Sequence, residues 1–225
     1  MKALQKRFTI LMGNFGSGKT ELTVAIAKKK KQEHSNVILV DMDIVNPYFR
    51  SSSQEAFLKS EGISIIKPTF ALSNVDIPAL PPQMQSVFSI PDAHVVIDVG
   101  GDEIGATAVA RFGPYIAPIR DDMQVLYILN PFRPLSSTIE DIQNLYHGIV
   151  SRSRLKPDFI INNANLQEFT TIDDLRESWA LVKEASKVLN TPIGFTAGMP
   201  YLEEEFSKEC EFFPFEPRLK PDWLK

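Results

Sequence analysis

The chain has 225 residues, enough for one large domain or two small ones, and a compact fold of that size buries roughly 70% of its unfolded surface without disulfides or a structural metal. With 28 acidic and 24 basic residues the formal net charge is −4, which excludes a broadly basic nucleic-acid binder, and 44% hydrophobic with 23% charged residues excludes global disorder. The single cysteine, Cys210, excludes an intrachain disulfide and a multi-cysteine metal site. No signal-peptide core or membrane-length apolar run is present, so a cytoplasmic protein without a membrane anchor is expected.

In chain order, short apolar runs predict strands at Phe8–Met12, Val37–Asp41, Ser64–Lys67, His94–Val99, Val125–Asn130, Asp158–Asn162 and Ile193–Thr196. Amphipathic stretches between them predict helices at Lys19–Lys31, Gln54–Glu61, Ala106–Ile116, Ser136–Ser151 and Ile172–Leu189. Strands apolar on both faces, alternating with helices, point to an α/β three-layer sandwich with a mostly parallel sheet. No composition shift forces a boundary, so one domain is expected. Pro68–Asp92 reads as a loop with one or two short helices. From Glu203 a Phe- and Pro-rich tail is expected to pack against the domain.

The strongest chemical signal is Gly13-Asn14-Phe15-Gly16-Ser17-Gly18-Lys19-Thr20, which matches G-x-x-x-x-G-K-[ST] between an apolar strand and a helix that runs on through Glu21. Glycines let successive backbone N–H groups curl inward onto phosphate oxygens, and the helix N-terminus adds a positive dipole end. Lys19 then reaches the β- and γ-phosphates, and the Thr20 hydroxyl ligates Mg²⁺. Asp41 and Asp43 end the second strand, where carboxylates either hold Mg²⁺-bound water and orient an attacking water, or merely cap a turn. His94–Asp98 is four apolar-strand positions ending in an acid, the Walker B pattern, and Asp98 to Gly101 also fits D-x-x-G. Asp102 and Glu103 read as catalytic alternatives or as turn and cap residues.

At the end of a later strand stands Asn162-Asn163-Ala164-Asn165. The Asn162 amide can donate to adenine N7 and accept from the amino group, whereas a guanine site of the N-K-x-D type needs an acid that this segment lacks. ATP is therefore expected over GTP. The run Lys28 to Lys31 reads as a solvated helix end, suited to the helix dipole. His34, His94 and His147 are far apart in sequence and show no metal-ligand spacing.

The order of phosphate loop, D-x-D, D-x-G-G and strand-end Asn resembles the MinD/ParA/CobQ-type P-loop ATPases of the SIMIBI class, over roughly residues 7 to 200. That resemblance implies a P-loop NTPase fold, ATP and Mg²⁺ as ligands, and hydrolysis. It puts Gly13, Asn14, Phe15, Gly16, Ser17, Gly18, Lys19, Thr20, Glu21, Gly101 and Asn162 at the nucleotide, Thr20, Asp43 and Asp98 at the metal, and Lys19, Asp43 and Asp98 in catalysis. Family members with a deviant loop carry a second lysine after the first glycine that reaches a partner's nucleotide. Asn14 stands there in this chain, and Arg50 is the candidate replacement charge for a homodimer. The absence of C-x-C and C-x-x-C separates the chain from the metal-handling relatives. A nucleotide-driven switch with a protein partner is the leading expectation. A small-molecule kinase or ligase like dethiobiotin synthetase or cobyrinate diamide synthase, and a non-hydrolysing regulator, are the alternatives.

Overall fold

The computed structural model describes residues 1–43, 52–67, 82–101 and 103–217. Its strands are β1 (Phe8–Gly13), β2 (Val37–Met42), β3 (Ser64–Ile66), β4 (His94–Val99), β5 (Met123–Leu129), β6 (Phe159–Asn162), β7 (Ile193–Gly198) and β8 (Phe212–Pro214). They form one sheet in the order β3-β2-β4-β1-β5-β6-β7-β8, every pairing parallel. The helices are α1 (Lys19–Glu33), α2 (Ser52–Ser60), α3 (Pro82–Ser86), α4 (Glu103–Ala110), α5 (Gly113–Ile116), α6 (Ile139–Ser153), α7 (Ile172–Val188) and α8 (Glu203–Phe206).

Alternation along each strand divides the apolar residues between two cores, because successive side chains point to opposite faces. Phe8, Ile10 and Met12 of β1 join Ile38, Val40, Val95 and Ile97 on the face covered by α4 and α6. Leu11, Val37, Leu39 and Val96 face Leu22, Ile26 and Ala27 of α1 on the other. Both faces are covered, which is why the central strands read as continuous apolar runs.

All seven expected strands are present, with ends shifted by up to two residues. The expected helix Ala106–Ile116 is two helices, α4 and α5, separated before Gly113-Pro114. Proline lacks the N–H that would continue the ladder, and it disfavours helical backbone at the residue before it. The helix expected from Ser136 starts at Ile139, because Thr138 is its cap and accepts a hydrogen bond from the Asp141 N–H. In the tail, Phe212 and Phe213 are buried, β8 lengthens the sheet beyond β7, and the Phe213 ring lies 5.5 Å from that of Phe195. The stretches 44–51, 68–81 and 218–225 lie outside the described residues, and with them the expectations for Arg50 and for most of the proline-rich segment. Asp102 also lies outside them.

Two expectations about charged side chains are corrected. Lys30 is not solvated: it is 4% exposed, and its ammonium donates to the carbonyls of Leu4 and Lys6 at 3.0 and 2.7 Å. Burial pulls its pKa down to about 8. His34 and His94 are not apart: their rings stack with centroids 3.4 Å apart, and burial together with His34 and Lys30 lowers His94 to about 4. Both corrections lie at the amino-terminal edge of the sheet, opposite the carboxyl edge that carries the phosphate loop. Among the described residues no helix is long and apolar enough to cross a membrane.

Candidate functional site

β1 runs between β4 and β5, and the glycine-rich segment leaves its carboxyl end, the place where parallel α/β sheets form a ligand crevice. Gly13 lies so close to the Ile128 carbonyl of β5 that a Cβ would overlap it. Gly18 has φ +84° and caps α1, and a Cβ there would strike the Asn163 amide. Glycine is required at this turn for two reasons, the left-handed backbone and the close approach.

Lys19 is 6% exposed, and its ammonium donates to the Asn14 carbonyl at 2.8 Å. Gly101 covers it: a Cβ on residue 101 would stand 2.8 Å from Lys19 Nζ and 2.6 Å from the Phe15 backbone nitrogen. The D-x-x-G glycine thus touches both the loop and its lysine. Parallel register sets Asp41 of β2 beside Asp98 of β4, and Asp41 Oδ1 accepts from the Asp43 N–H at 2.9 Å. The structure therefore brings Lys19, Thr20, Asp41, Asp43, Asp98 and Gly101 to one edge of the sheet. Glu21 lies in the first turn of α1. Glu103 starts α4, and its side chain lies outside the description.

Asp98 is 2% exposed, and its Oδ1 has no hydrogen-bond partner among the described residues. Burial pushes its carboxyl up to about 7. The nearby Lys19 charge opposes that rise, Asp41 adds to it, the hydrogen bond from Thr20 opposes it, and Asp43 adds to it. Ser17 Oγ, Arg133 Nε and Asn163 Oδ1 are likewise buried and without a partner around the same loop. Buried polar atoms normally find partners, so this cluster fits an anionic ligand with a cation beside it. Mg²⁺ suits the set, because it takes one or two protein oxygens and completes its shell from phosphate and water. Thr20 and Asp98 would hold it, directly or through water. No group of three or more His, Cys, Asp or Glu is placed as a metal cage among the described residues.

The Asp98 carboxyl gives a testable pH dependence. Its folded value lies above the unfolded value of about 4, so the native state binds more protons between pH 4 and 7 and loses stability as pH rises through that window. The loss reaches at most about 4 kcal/mol. Asp98→Asn, without nucleotide, is expected to melt several degrees above wild type at pH 8, with the difference vanishing near pH 4. Parallel melting curves for the two proteins would disprove the buried carboxyl.

Asn162 does not stand at the crevice. It is fully buried, and its amide donates to Ser178 Oγ and Thr196 Oγ1 at 3.4 Å while accepting from the Ala164 N–H at 3.1 Å. It ties β6 to α7 and β7. The neighbouring Asn163 faces the loop instead and donates to the Ser17 carbonyl at 2.7 Å. Asn165 Nδ2 donates to the Asn163 carbonyl at 2.8 Å and lies 3.8 Å from where a Gly18 Cβ would be. Asn14 donates to the Pro134 carbonyl at 2.9 Å and to Ser136 Oγ at 3.4 Å, clamping the loop after β5 onto the phosphate loop. Sequence reasoning missed Asn163 and Arg133. Their signal was position, at the carboxyl ends of β6 and β5.

A roomier cleft of about 980 Å³ runs between α1 and the tail, lined by Glu21, Lys28, Glu33, Phe213 and Phe215. Among the described residues none of the unpartnered buried polar atoms belongs to its lining, whereas several surround the loop, so the candidate site is placed at the loop.

No protein-family model matches the sequence, and no curated protein is significantly similar to it. Solved structures do match. FtsY from Thermotoga maritima is 17% identical, with TM-score 0.54, 84% of this chain and 61% of that chain covered. FtsY from Mycoplasma mycoides is 17% identical, with TM-score 0.52 and 84% and 59% covered. The 54 kDa signal recognition particle protein from Aeropyrum pernix, solved with GDP, is 16% identical, with TM-score 0.53 and 84% and 41% covered. The chain spans about three fifths of the FtsY chains it matches. At this identity the likeness speaks for architecture, and it agrees with the strand order and glycine-rich turn above: the chain has the α/β fold of the P-loop nucleoside triphosphatases.

Proposed function

We propose that the chain is a Mg²⁺-dependent ATP-binding protein and ATPase of the SIMIBI class that works as a nucleotide-driven switch. The observation that carries the reading is Lys19. Its buried ammonium rests on the loop's own Asn14 carbonyl, beside Gly101, with an Asp98 oxygen nearby that has no partner among the described residues. Lys19 and the loop N–H groups bind and orient the triphosphate, and Asp43 orients the attacking water and takes its proton. Mg²⁺, if held by Thr20 and Asp98, would neutralise phosphate charge. Because Gly101 leans on Lys19 and Phe15, a change at the lysine's anion is felt at the start of α4, the element a switch would move.

The base is the discriminating point, since the Aeropyrum protein was solved with GDP and FlhF with GTP and Mg²⁺. Guanine offers two adjacent donors that one carboxylate satisfies. The segment Asn163-Ala164-Asn165 after β6 carries no such carboxylate, and asparagine amides suit adenine's donor–acceptor edge. Calorimetry is expected to show MgATP binding at least about 10-fold more tightly than MgGTP. Equal affinities or a GTP preference would refute the adenine assignment.

One observation favours a second reading, a small-molecule kinase or ligase. A cleft of about 350 Å³ opens beside Gly101, lined by Leu135, Leu145 and Ile149 with Asp141, Asn144 and Arg152. It is large enough for a small metabolite. Rapid phosphate transfer to a metabolite, rather than slow release to water, would select that reading.

A further inference from the structure

We propose that Arg133 is a second phosphate-binding cation of the same site, supplied from within the chain and lying along Gly16; this rests on the nucleotide-binding reading above. The argument starts from the strand register. β5 runs beside β1 with Gly13 paired to Ile128, so the loop after β5 leaves the sheet next to the phosphate loop. That loop is held in one shape. Asn130 Oδ1 accepts from the Phe132 N–H, the Asn130 carbonyl accepts from the Arg133 N–H, and the Arg133 carbonyl accepts from the Ser136 N–H, each at 3.1 Å. The Asn14 amide then grips Pro134 and Ser136 from the phosphate loop itself. These bonds tie the two loops together.

Within that pair of loops the Arg133 side chain lies along Gly16. Its Cδ and Nε stand 3.9 and 4.0 Å from where a Gly16 Cβ would be, and Gly16 has φ +73° in the glycine-rich turn. The Nε is shielded from solvent and has no acceptor among the described residues. The residue as a whole is half-buried, and it is the Nε donor that is enclosed. A buried donor without an acceptor is costly, and here it sits beside the glycine-rich turn, where Ser17 Oγ is also buried without a partner among the described residues. A phosphate oxygen satisfies both, and the planar fork of arginine matches phosphate geometry. Asn14, being neutral and engaged in the clamp, contributes no charge of its own; its part is to hold the arginine's loop in place.

Arg133→Met keeps the aliphatic stem against Gly16 and removes the charge, while Arg133→Lys keeps the charge. MgATP affinity is measured by calorimetry on the full chain, with melting temperature as a folding control and Lys19→Ala alongside. Arg133→Met is expected to weaken MgATP by roughly 10- to 100-fold with a melting temperature no lower than wild type, and Arg133→Lys to recover most of it. The salt dependence of binding is expected to fall with the methionine and return with the lysine. If Arg133→Met binds MgATP within twofold of wild type while Lys19→Ala does not, Arg133 is only a packing neighbour and the proposal fails. If Lys19→Ala also binds normally, the nucleotide reading itself fails with it.

Discussion

Replacing Lys19 by alanine is expected to weaken MgATP binding by roughly 100-fold and to lower any hydrolysis by roughly 10²–10³-fold. The side chain is 6% exposed, it spans the phosphate loop, and Gly101 closes over it. Once it is removed, no other described ammonium stands at that point to meet the phosphate charge. Folding should survive, because the change removes a buried charge held by a carbonyl, whereas an apolar contact in either core would be missed more. Calorimetry on the variant, with its melting curve, checks both statements. Wild-type affinity in a folded Lys19→Ala protein would remove the phosphate-loop assignment and every reading built on it.

The second large effect is at Asp43. Asp43→Asn keeps shape and size but deletes the base, so MgATP should still bind while single-turnover hydrolysis falls by roughly 10²–10⁴-fold. Its backbone N–H stays on Asp41 Oδ1 in the variant, which preserves the turn that aims it. Asp98→Asn should behave differently. Asp98 is fully enclosed between Thr20 and Asp41, so its loss should show as weaker Mg²⁺ dependence and as the altered pH profile described above. A Mg²⁺ titration of both variants separates the two roles. Wild-type turnover in Asp43→Asn would demote Asp43 to a turn residue and move catalysis to Asp41 or to the start of α4.

Three features were legible in the sequence because they are local. Period-two apolar runs and amphipathic stretches specify strands and helices within a few residues, and a parallel sheet follows from their alternation. The glycine-rich motif is contiguous, so its glycines, Lys19 and Thr20 could be singled out as candidates without a fold. Asp98 and Gly101 follow from one strand ending in an acid. Even the cap at Thr138 and the break at Gly113-Pro114 are local signals, though hydrophobic periodicity alone runs across both.

The tertiary structure decided everything that depends on which residues meet across the sheet. Asn162 and Asn163 are adjacent and chemically identical, yet strand alternation turns one into the sheet–helix interface and the other toward the phosphate loop. Which of them meets the loop depends on how β6 registers on β5, and no local pattern encodes that. His34 and His94 are stacked because β4 starts beside the segment that follows α1, and Lys30 is buried because the N-terminal segment crosses its helix. Asn14 on Pro134 and Arg133 along Gly16 are contacts over more than a hundred residues, created by the register of β5 on β1. Chain-local physics thus determined the elements and the phosphate loop, whereas parallel register, a long-range property set by the packing of both sheet faces, determined which side chains surround it.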